Sequence, residues 1–443
     1  MREGMIAGVV ALLLVSCSSN SFEGKIVAVE VEDLSAGSFE GAKLITIAPG
    51  KPGKSARHLT NDFESACAPA ISHEGRYLYF QGKKESGDPW QIWVMDLQKK
   101  STKRVTDLPE DCLHPAALPD GTVVFSRSYQ KDGIGFSSLH SCKMDGSELA
   151  RVTFNPTNDL HPSVLDEGRV LYLSQQQYPK SKPQKLLIMR PDGTKSELYH
   201  SGYMGQQPVS GGVESNDGHI YFVVEGGSLS RVRHSRPLHT HENLSVKLKG
   251  SFAAVYPYLN SGLLVSYQAE GSGNYGLYEF DAEAPVLLYE GDKDITDPVL
   301  IRALEERPKI LPSAVNMDKS TGLLMSQNIN HSTLPVHTYL SGDSVAERIR
   351  VVGVDGPLGE AEVEEDGSFY LVLDADTPVQ IETMNSQGEI VRGPSDWIYL
   401  RPNERRGCVG CHADNELAPD NTQPMAVMGA PVDLSTKKEK TSN

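Results

Sequence analysis

The sequence is short of positive charge and of long apolar runs. Its 443 residues contain 42 Lys+Arg against 58 Asp+Glu, which gives a formal net charge of −16 at pH 7. This balance argues against nucleic acid as a partner, because phosphate binding needs basic stripes. After the N-terminal segment, no stretch reaches the roughly 18 apolar residues of a transmembrane helix. The motifs of serine hydrolases, zinc proteases and phosphate-cradling loops are missing as well.

Turn-forming and aromatic residues, in contrast, are plentiful. The chain has 40 Gly, 27 Pro and 17 Tyr, and apolar runs recur along its whole length. This composition favours an all-β fold over a helical one.

The N-terminus has the pattern of an export signal. Arg2 precedes an apolar run from Met5 to Val15, which is followed by Ser16 and Cys17. Small residues directly before a Cys resemble the lipobox of bacterial lipoproteins, which implies removal of residues 1–16 and acylation of Cys17. We therefore expect a lipid-anchored protein of the bacterial cell envelope that faces the periplasm, with the outer membrane favoured over the inner. An ordinary signal peptide with an incidental Cys is the alternative.

A second motif lies near the C-terminus. Cys408, Cys411 and His412 form C-x-x-C-H, the attachment site of a c-type haem. Two thiols three residues apart can bind the two vinyl groups of one porphyrin, and the adjacent imidazole becomes the proximal iron ligand. Because the chain has no second Cys pair, a zinc site of four ligands is disfavoured. The sequence thus predicts one covalent haem c.

The remaining cysteines are Cys67, Cys112 and Cys142. One disulfide among them and three buried free thiols both remain possible interpretations. His239 and His241 have H-x-H spacing, but no further ligand set nearby supports a metal site.

A proline recurs at intervals of about 41–49 residues, a period typical of propeller blades. It is found at Pro69, Pro115, Pro162, Pro208, Pro257 and Pro298. A short strand, a turn with Gly and a second strand rich in aromatic and β-branched residues follow it, so each unit reads as a four-stranded blade. We expect six blades over residues 24–312 after a lipidated linker at 17–23. Strands at Lys25–Val29 and 44–47 should pair with the strand of Pro298 and close the ring. The units resemble the repeats of TolB-like periplasmic proteins.

Beyond residue 312 the pattern changes to short alternating strands separated by Asp-Gly and Gln-Gly turns. This pattern predicts a small β-sandwich at 313–400, then a haem-binding segment at 401–434 and a disordered polar tail at 435–443. The predicted fold is therefore all-β: a six-bladed β-propeller, a small β-sandwich and a short C-terminal haem c segment.

The C-terminal string resembles a known family. Its motifs are Asp366-Gly367-Ser368-Phe369, Trp397-Ile398, Arg401-Pro402-Asn403-Glu404 and Arg406-Gly407-Cys408 with the haem motif. They look like the C-terminal half of proteins related to the hydrazine synthase alpha subunit. The resemblance implies a β-propeller beside a haem c domain. It also implies a catalytic haem domain ahead of the propeller. Between Cys17 and the propeller, however, this chain has only about ten residues, too few for such a domain.

The sixth iron ligand distinguishes an electron-transfer haem from a catalytic haem, because an iron whose sixth position is open can bind a substrate. Its candidates are His331, His337, Met425 and Met428. Arg401, Arg405 and Arg406 are candidates for pairing with the haem propionates, since a guanidinium suits carboxylates. A solvated basic turn is the alternative for the three arginines.

Three functions compete on these grounds. The favoured one is electron transfer by a monohaem cytochrome whose propeller docks a redox partner protein. The others are a haem oxidoreductase acting on a small nitrogen or oxygen species, and a TolB-like binding or scaffold propeller with a non-catalytic haem.

Overall fold

The computed structural model describes residues 22–49, 56–259, 262–281, 283–331, 345–410, 416 and 421–436. The N-terminal two thirds of this part consist of four-stranded antiparallel units. The unit that opens the chain contains β1 (Ile26–Val31), β2 (Lys43–Ile47) and β3 (Arg57–His58). A short 3-10 helix, Leu34–Ala36, lies between the first two of these strands.

Five further units follow in chain order, and a single parallel bridge between Ser137 and Asn158 joins blades 2 and 3 into one eight-stranded sheet. Blade 1 contains β4 (Ser65–Ile71), β5 (Tyr77–Lys83), β6 (Gln91–Asp96) and β7 (Ser101–Arg104). Blade 2 contains β8 (Cys112–Ala117), β9 (Thr122–Lys131), β10 (Ile134–Lys143) and β11 (Ala150–Arg151). Blade 3 contains β12 (Thr157–Val164), β13 (Val170–Gln176), β14 (Lys185–Met189) and β15 (Glu197–His200). Blade 4 contains β16 (Val213–Glu214), β17 (His219–Val224), β18 (Ser228–Arg233) and β19 (Glu242–Asn243). Blade 5 contains β20 (Gly250–Pro257), β21 (Leu263–Ala269), β22 (Gly276–Phe280) and β23 (Pro285–Tyr289).

The ring closes as the repeat predicted. β24 (Asp294–Leu300) pairs antiparallel with β1, with Ile26 opposite Leu300 and Val27 opposite Val299, and this makes blade 6 from both ends of the propeller. Ile26 packs toward blade 5 and Val27 toward blade 1, since the two residues belong to different apolar clusters. Similar clusters join every other consecutive pair of blades. Closure leaves neither end of the ring with an open strand edge.

In four blades the recurrent proline lies at a bulge in the first strand of the blade. The residue before it has a positive φ in four blades, at Ala68, His114, His161 and Asp297. The ladder register shifts at this point in blades 1 to 3. Proline has no N–H to donate to a ladder, so a bulge is where a strand tolerates it.

The remaining strands form the predicted sandwich of two four-stranded sheets. One sheet has the order β31-β25-β28-β32 and the other β27-β26-β29-β30. The strands are β25 (Thr321–Asn328), β26 (Arg348–Gly353), β27 (Gly356–Glu362), β28 (Phe369–Asp374), β29 (Val379–Met384), β30 (Ile390–Arg392), β31 (Arg405–Gly410) and β32 (Val432–Asp433). Both β31 and β32 come from the segment 401–434, so the haem-motif segment is part of the sandwich.

The start of the predicted tail is bound to the sandwich as well. The Ser435 and Thr436 backbone N–H groups donate to the carboxylates of Asp433 and Asp374 at 2.9 and 3.0 Å. No helix in the described residues is long and apolar enough to cross a membrane.

The sandwich is docked on blade 3 by buried side chains. The Tyr399 hydroxyl lies 3.1 Å from the Val152 carbonyl oxygen and 3.0 Å from that of Gly193. The Trp397 indole N–H donates to the Tyr178 carbonyl oxygen at 2.7 Å. These two aromatic residues therefore connect the domains.

Candidate functional site

Cys408 lies on β31, the edge strand of the sandwich. β31 runs parallel to β25, with Cys408 opposite Ser326 and Gly410 opposite Asn328. The thiol is half-buried against the sandwich core, and this burial raises its pKa. The environment favours an uncharged sulfur, which suits either a protonated thiol or a thioether.

Gly410 marks a close approach of two backbones. A Cβ added at Gly410 would lie 2.6 Å from the His331 carbonyl oxygen and 2.9 Å from that of Asn328. Only glycine fits there without a shift. His331 is therefore beside the residue that precedes Cys411, and its side chain is exposed.

Met425 and Met428 reach the same end of the sandwich. They form a 3-10 helix, Met425–Met428, which is held where the Met425 N–H donates to Asp366 at 2.7 Å. The preceding segment is fixed by a hydrogen bond of 2.8 Å from the Gln327 amide to the Thr422 hydroxyl. The two methionines are 39% and 69% exposed, so they present apolar surface near the motif.

The other side of the motif meets the propeller. Glu416 accepts a hydrogen bond of 2.6 Å from the Leu238 N–H, and its second oxygen lies 3.5 Å from Arg236 and 3.9 Å from His239. Gly410, just before the second motif cysteine, therefore lies on the sandwich, and Glu416, four residues after the motif histidine, lies against blade 4.

Next to Leu238 lies a histidine pair that sequence reasoning did not find, since His200 Nδ1 is 2.9 Å from the carbonyl oxygen of Pro237. His200 Nε2 lies 3.1 Å from His241 Nδ1, and Tyr203 stacks on His241 with ring centroids 4.9 Å apart. The H-x-H spacing was a signal, but the partners come from other parts of the chain. In the described residues no group of three or more His, Cys, Asp or Glu side chains could hold a metal ion.

The three arginines occupy different environments. Arg401 is buried and donates to Asp376 at 2.6 Å and to the Asp192 carbonyl oxygen at 3.0 Å, so its guanidinium joins the sandwich to the propeller. Arg406 forms an ion pair of 2.8 Å with Glu404. Arg405 is exposed. A role toward propionates stays a prediction, and Arg405 is the exposed one of the three.

A cavity of about 160 Å³ lies beside the motif, between blade 3 and the sandwich. Arg406, Glu197 and Asn155 line it, and the buried Asn155 Oδ1 has no protein hydrogen-bond partner there. Asp396 is at its mouth. Burial raises the pKa of this carboxyl, but ion pairs with Lys185 and Lys182 outweigh that effect and hold it at about 2.

Several predicted residues lie outside the described part of the chain: Cys17, His337, Cys411 and His412. Cys67, Cys112 and Cys142 are buried free thiols in this structure. Burial raises the pKa of all three thiols.

The described residues fit a c-type haem at this place. Cys408 offers a half-buried sulfur, Met425 and Met428 offer exposed apolar surface, and His331 lies beside Gly410. The fold and the site thus define a protein in which a closed β-propeller carries a β-sandwich with a C-x-x-C-H motif.

Comparison with known proteins confirms the resemblance to the hydrazine synthase alpha subunit. Residues 330–413 match the family described as hydrazine synthase alpha subunit middle domain. Hydrazine synthase from Kuenenia stuttgartiensis has a similar structure, with a TM-score of 0.80 and 18% identity over 92% of this chain and 71% of that chain. The chain is therefore similar to the hydrazine synthase alpha family in architecture, and its haem motif falls within the match to the family's middle domain.

Two other solved structures give weaker similarities. TolB from Acinetobacter baumannii gives a TM-score of 0.42 at 13% identity, covering 62% of this chain and 66% of that chain. A chain of a nidogen/laminin complex gives 0.46 at 11% identity, covering 63% of this chain and 99% of that chain. A search of curated proteins finds no match.

Proposed function

We propose that this chain is an exported, lipid-anchored monohaem c-type cytochrome that transfers electrons. Cys408 and Cys411 would attach one haem c, His412 would be its proximal ligand, and the propeller would dock a redox partner protein. What supports the proposal is the C-x-x-C-H motif together with its fixed flanks: Cys408 lies on β31 of the sandwich, and Glu416 is bound to blade 4.

The residues around the motif support a bound porphyrin. When bound, the haem supplies exchange of one electron at a time. The chain's own contribution is to hold both ends of the motif loop, to offer the apolar side chains of Met425 and Met428, and to provide a sixth ligand. Of the two histidines that the sequence offers for this ligand, His331 lies beside Gly410, and His337 lies outside the described residues. Exposed surface at this end would leave an edge of the haem within reach of a partner.

The motif itself can be tested by replacing the thiols. Cys408→Ser with Cys411→Ser, expressed in a host that assembles haem c, should lose the haem mass that the wild-type polypeptide retains after denaturation and acid-acetone extraction. Cys112→Ser is the matched control, since it removes a buried thiol far from the motif in sequence, and it should keep the haem. Wild-type polypeptide without haem mass would refute the proposal.

The lipid anchor is a separate part of the proposal. Cys17→Ser should release the protein from membranes in soluble form, because acyl chains and not a helix would hold it. Retention of the variant in membranes after a carbonate wash would count against the anchor.

A haem oxidoreductase is the second candidate function. It is favoured by the match of the motif region to the middle domain of a hydrazine synthase subunit, which points to a small nitrogen species as substrate. A visible spectrum of the reduced protein separates the two functions. Carbon monoxide binding by the wild type indicates an open iron position and an enzyme, and a six-coordinate spectrum that carbon monoxide leaves unchanged indicates electron transfer.

A further inference from the structure

The cavity between blade 3 and the sandwich is a second candidate site, which no part of the proposed function uses. Its volume is about 160 Å³, and an apolar cavity of about 150 Å³ is large enough to bind benzene. Strands β14 and β15 of blade 3 form one wall, and the sandwich segment 396–399 forms the facing wall. The cavity is therefore complete only when the two domains are docked.

Most of the inner surface is carbon. Leu187 on β14 and Leu198 on β15 are ladder partners, so both side chains project from the same face of the sheet. Across the cavity, Trp397 and Tyr399 use their polar atoms elsewhere, because the indole N–H and the phenolic hydroxyl both bond to backbone carbonyl oxygens of the propeller. These two aromatic side chains therefore offer the cavity apolar ring surface.

Each charged side chain that lines the cavity has a partner of opposite charge at 2.5–3.1 Å. The pairs are Arg406 with Glu404, Glu197 with Arg169, and Asp396 with Lys182 and Lys185. An ionic group on a ligand would enter this mostly apolar space without a counter-charge of its own, and burying such a charge is costly. The lining therefore favours a neutral ligand.

One buried polar atom of the lining has no partner among the described residues. Asn155 is 7% exposed, and its Oδ1 accepts no hydrogen bond. The orientation of the amide is fixed, since Asn155 Nδ2 donates to the Trp397 carbonyl oxygen at 2.9 Å. The hydroxyls of Thr157 and Ser174 also line the cavity, but both donate to Asp159, at 2.8 and 2.6 Å. Because buried acceptors are nearly always satisfied, a ligand that fits this cavity supplies an O–H or N–H donor to Asn155 Oδ1.

We propose that the cavity binds a small neutral hydroxyl compound, with phenol as its type, whose O–H donates to Asn155 Oδ1. The volume sets a size of about seven non-hydrogen atoms. The paired charges of the lining set the neutrality, and the open amide oxygen sets the donor. Water alone fits less well, because a buried water molecule needs two to four polar partners, and Asn155 Oδ1 is the one buried polar atom of the lining that the described residues leave open.

The test is isothermal titration calorimetry of the full chain with phenol and with toluene, which has the same shape but no donor. The wild type should bind phenol at one saturable site. Leu198→Phe should abolish the binding of both compounds, because the larger side chain fills the cavity, and Leu187→Phe replaces this variant if it does not fold. Leu149→Phe is the matched control and should keep both affinities, since Leu149 is 41% exposed and lies outside the lining.

Asn155→Leu tests the donor. The ratio of the toluene Kd to the phenol Kd cancels the general difference in hydrophobicity between the two compounds. This ratio should fall by about three- to tenfold in Asn155→Leu, which is the net effect of one hydrogen bond between neutral groups. If Asn155→Leu does not fold by circular dichroism, a crystal of the wild type soaked with phenol decides the point. The phenol oxygen should then lie about 2.6–3.0 Å from Asn155 Oδ1.

Three results would overturn the proposal. Wild-type protein without saturable phenol binding leaves a cavity that holds only water, and phenol binding that Leu198→Phe leaves unchanged places the ligand elsewhere. An unchanged Kd ratio in Asn155→Leu, or a soaked phenol oxygen beyond hydrogen-bond distance of Oδ1, removes Asn155 as the acceptor. None of these results depends on the haem, so they leave the proposed function to its own tests.

Discussion

Ring closure by the N-terminal strand can be tested with Ile26→Ala. Ile26 is fully buried between blades 5 and 6, where it packs with Leu264 and Leu277. Truncation of a buried Ile costs about 2–5 kcal/mol, because transfer energy and a cavity both contribute. With an unfolding entropy near 2.1 cal/mol/K per residue, this cost lowers Tm of the propeller by about 3–9 °C. Since the strand closes the ring, all blades should unfold together in one shifted transition.

Differential scanning calorimetry and tryptophan fluorescence measure this effect. Val286→Ala is the matched control, since Val286 lies on the last strand of blade 5 and is 61% exposed. It should change Tm by less than about 1 °C, as surface substitutions cost within about 0.5 kcal/mol. An unchanged Tm for Ile26→Ala, or an early transition confined to one blade, would refute closure through this strand.

Three other predictions concern the motif, the domain interface and the bulges. Gly410→Ala should displace the end of β31, because the new Cβ would lie 2.6 Å from a backbone oxygen. It should therefore lower the fraction of polypeptide that carries covalent haem. Gly429→Ala is the control and should leave this fraction unchanged, since a Cβ added at Gly429 has no atom within 4 Å. Arg401→Met should lower the free energy of unfolding in urea by about 1.5–3 kcal/mol, because it removes the charge-assisted hydrogen bonds of a buried guanidinium to Asp376 and to the Asp192 carbonyl oxygen. Arg405→Met on the exposed edge should have little effect, and equal losses would contradict the interface. Burial raises the pKa of Asp297 to about 6, so its folded form binds a proton more tightly than its unfolded form and stability falls as pH rises from about 4 through 6. Asp297→Asn should therefore be more stable than wild type at pH 7, by about 3 kcal/mol, and nearly equal to it near pH 4; a variant less stable at pH 7 would contradict this sign.

Strand alternation and turn residues made most of the fold predictable. The pairing of β1 with the strand of Pro298 followed from the repeat, because a blade that lacks strands at one end of the chain can be completed only by those at the other. The boundary at residue 400 could not be found in this way. β31 and β32 are short edge strands whose pairing with β25 and β28 is parallel, and a parallel pairing leaves no hairpin signal in the sequence.

The arginines illustrate the same limit for side chains. Arg401 and Arg405 belong to one basic turn in the sequence, but Arg401 points into the domain interface and meets Asp376, whereas Arg405 is exposed. Which arginine is available to a carboxylate ligand depends on the docking of the sandwich on blade 3, to which residues far apart in the chain contribute.

The sequence by itself determined the all-β architecture, the six-fold repeat and the prediction of a haem at Cys408 and Cys411, because these depend on spacings between near neighbours in the chain. Only the tertiary structure could bring His200 to His241 and place Glu416 beside Leu238. These pairs are separated by 41 and 178 residues. Local spacing carries no information about such contacts, since the path of the propeller and the docking of the sandwich on it decide which of these residues meet.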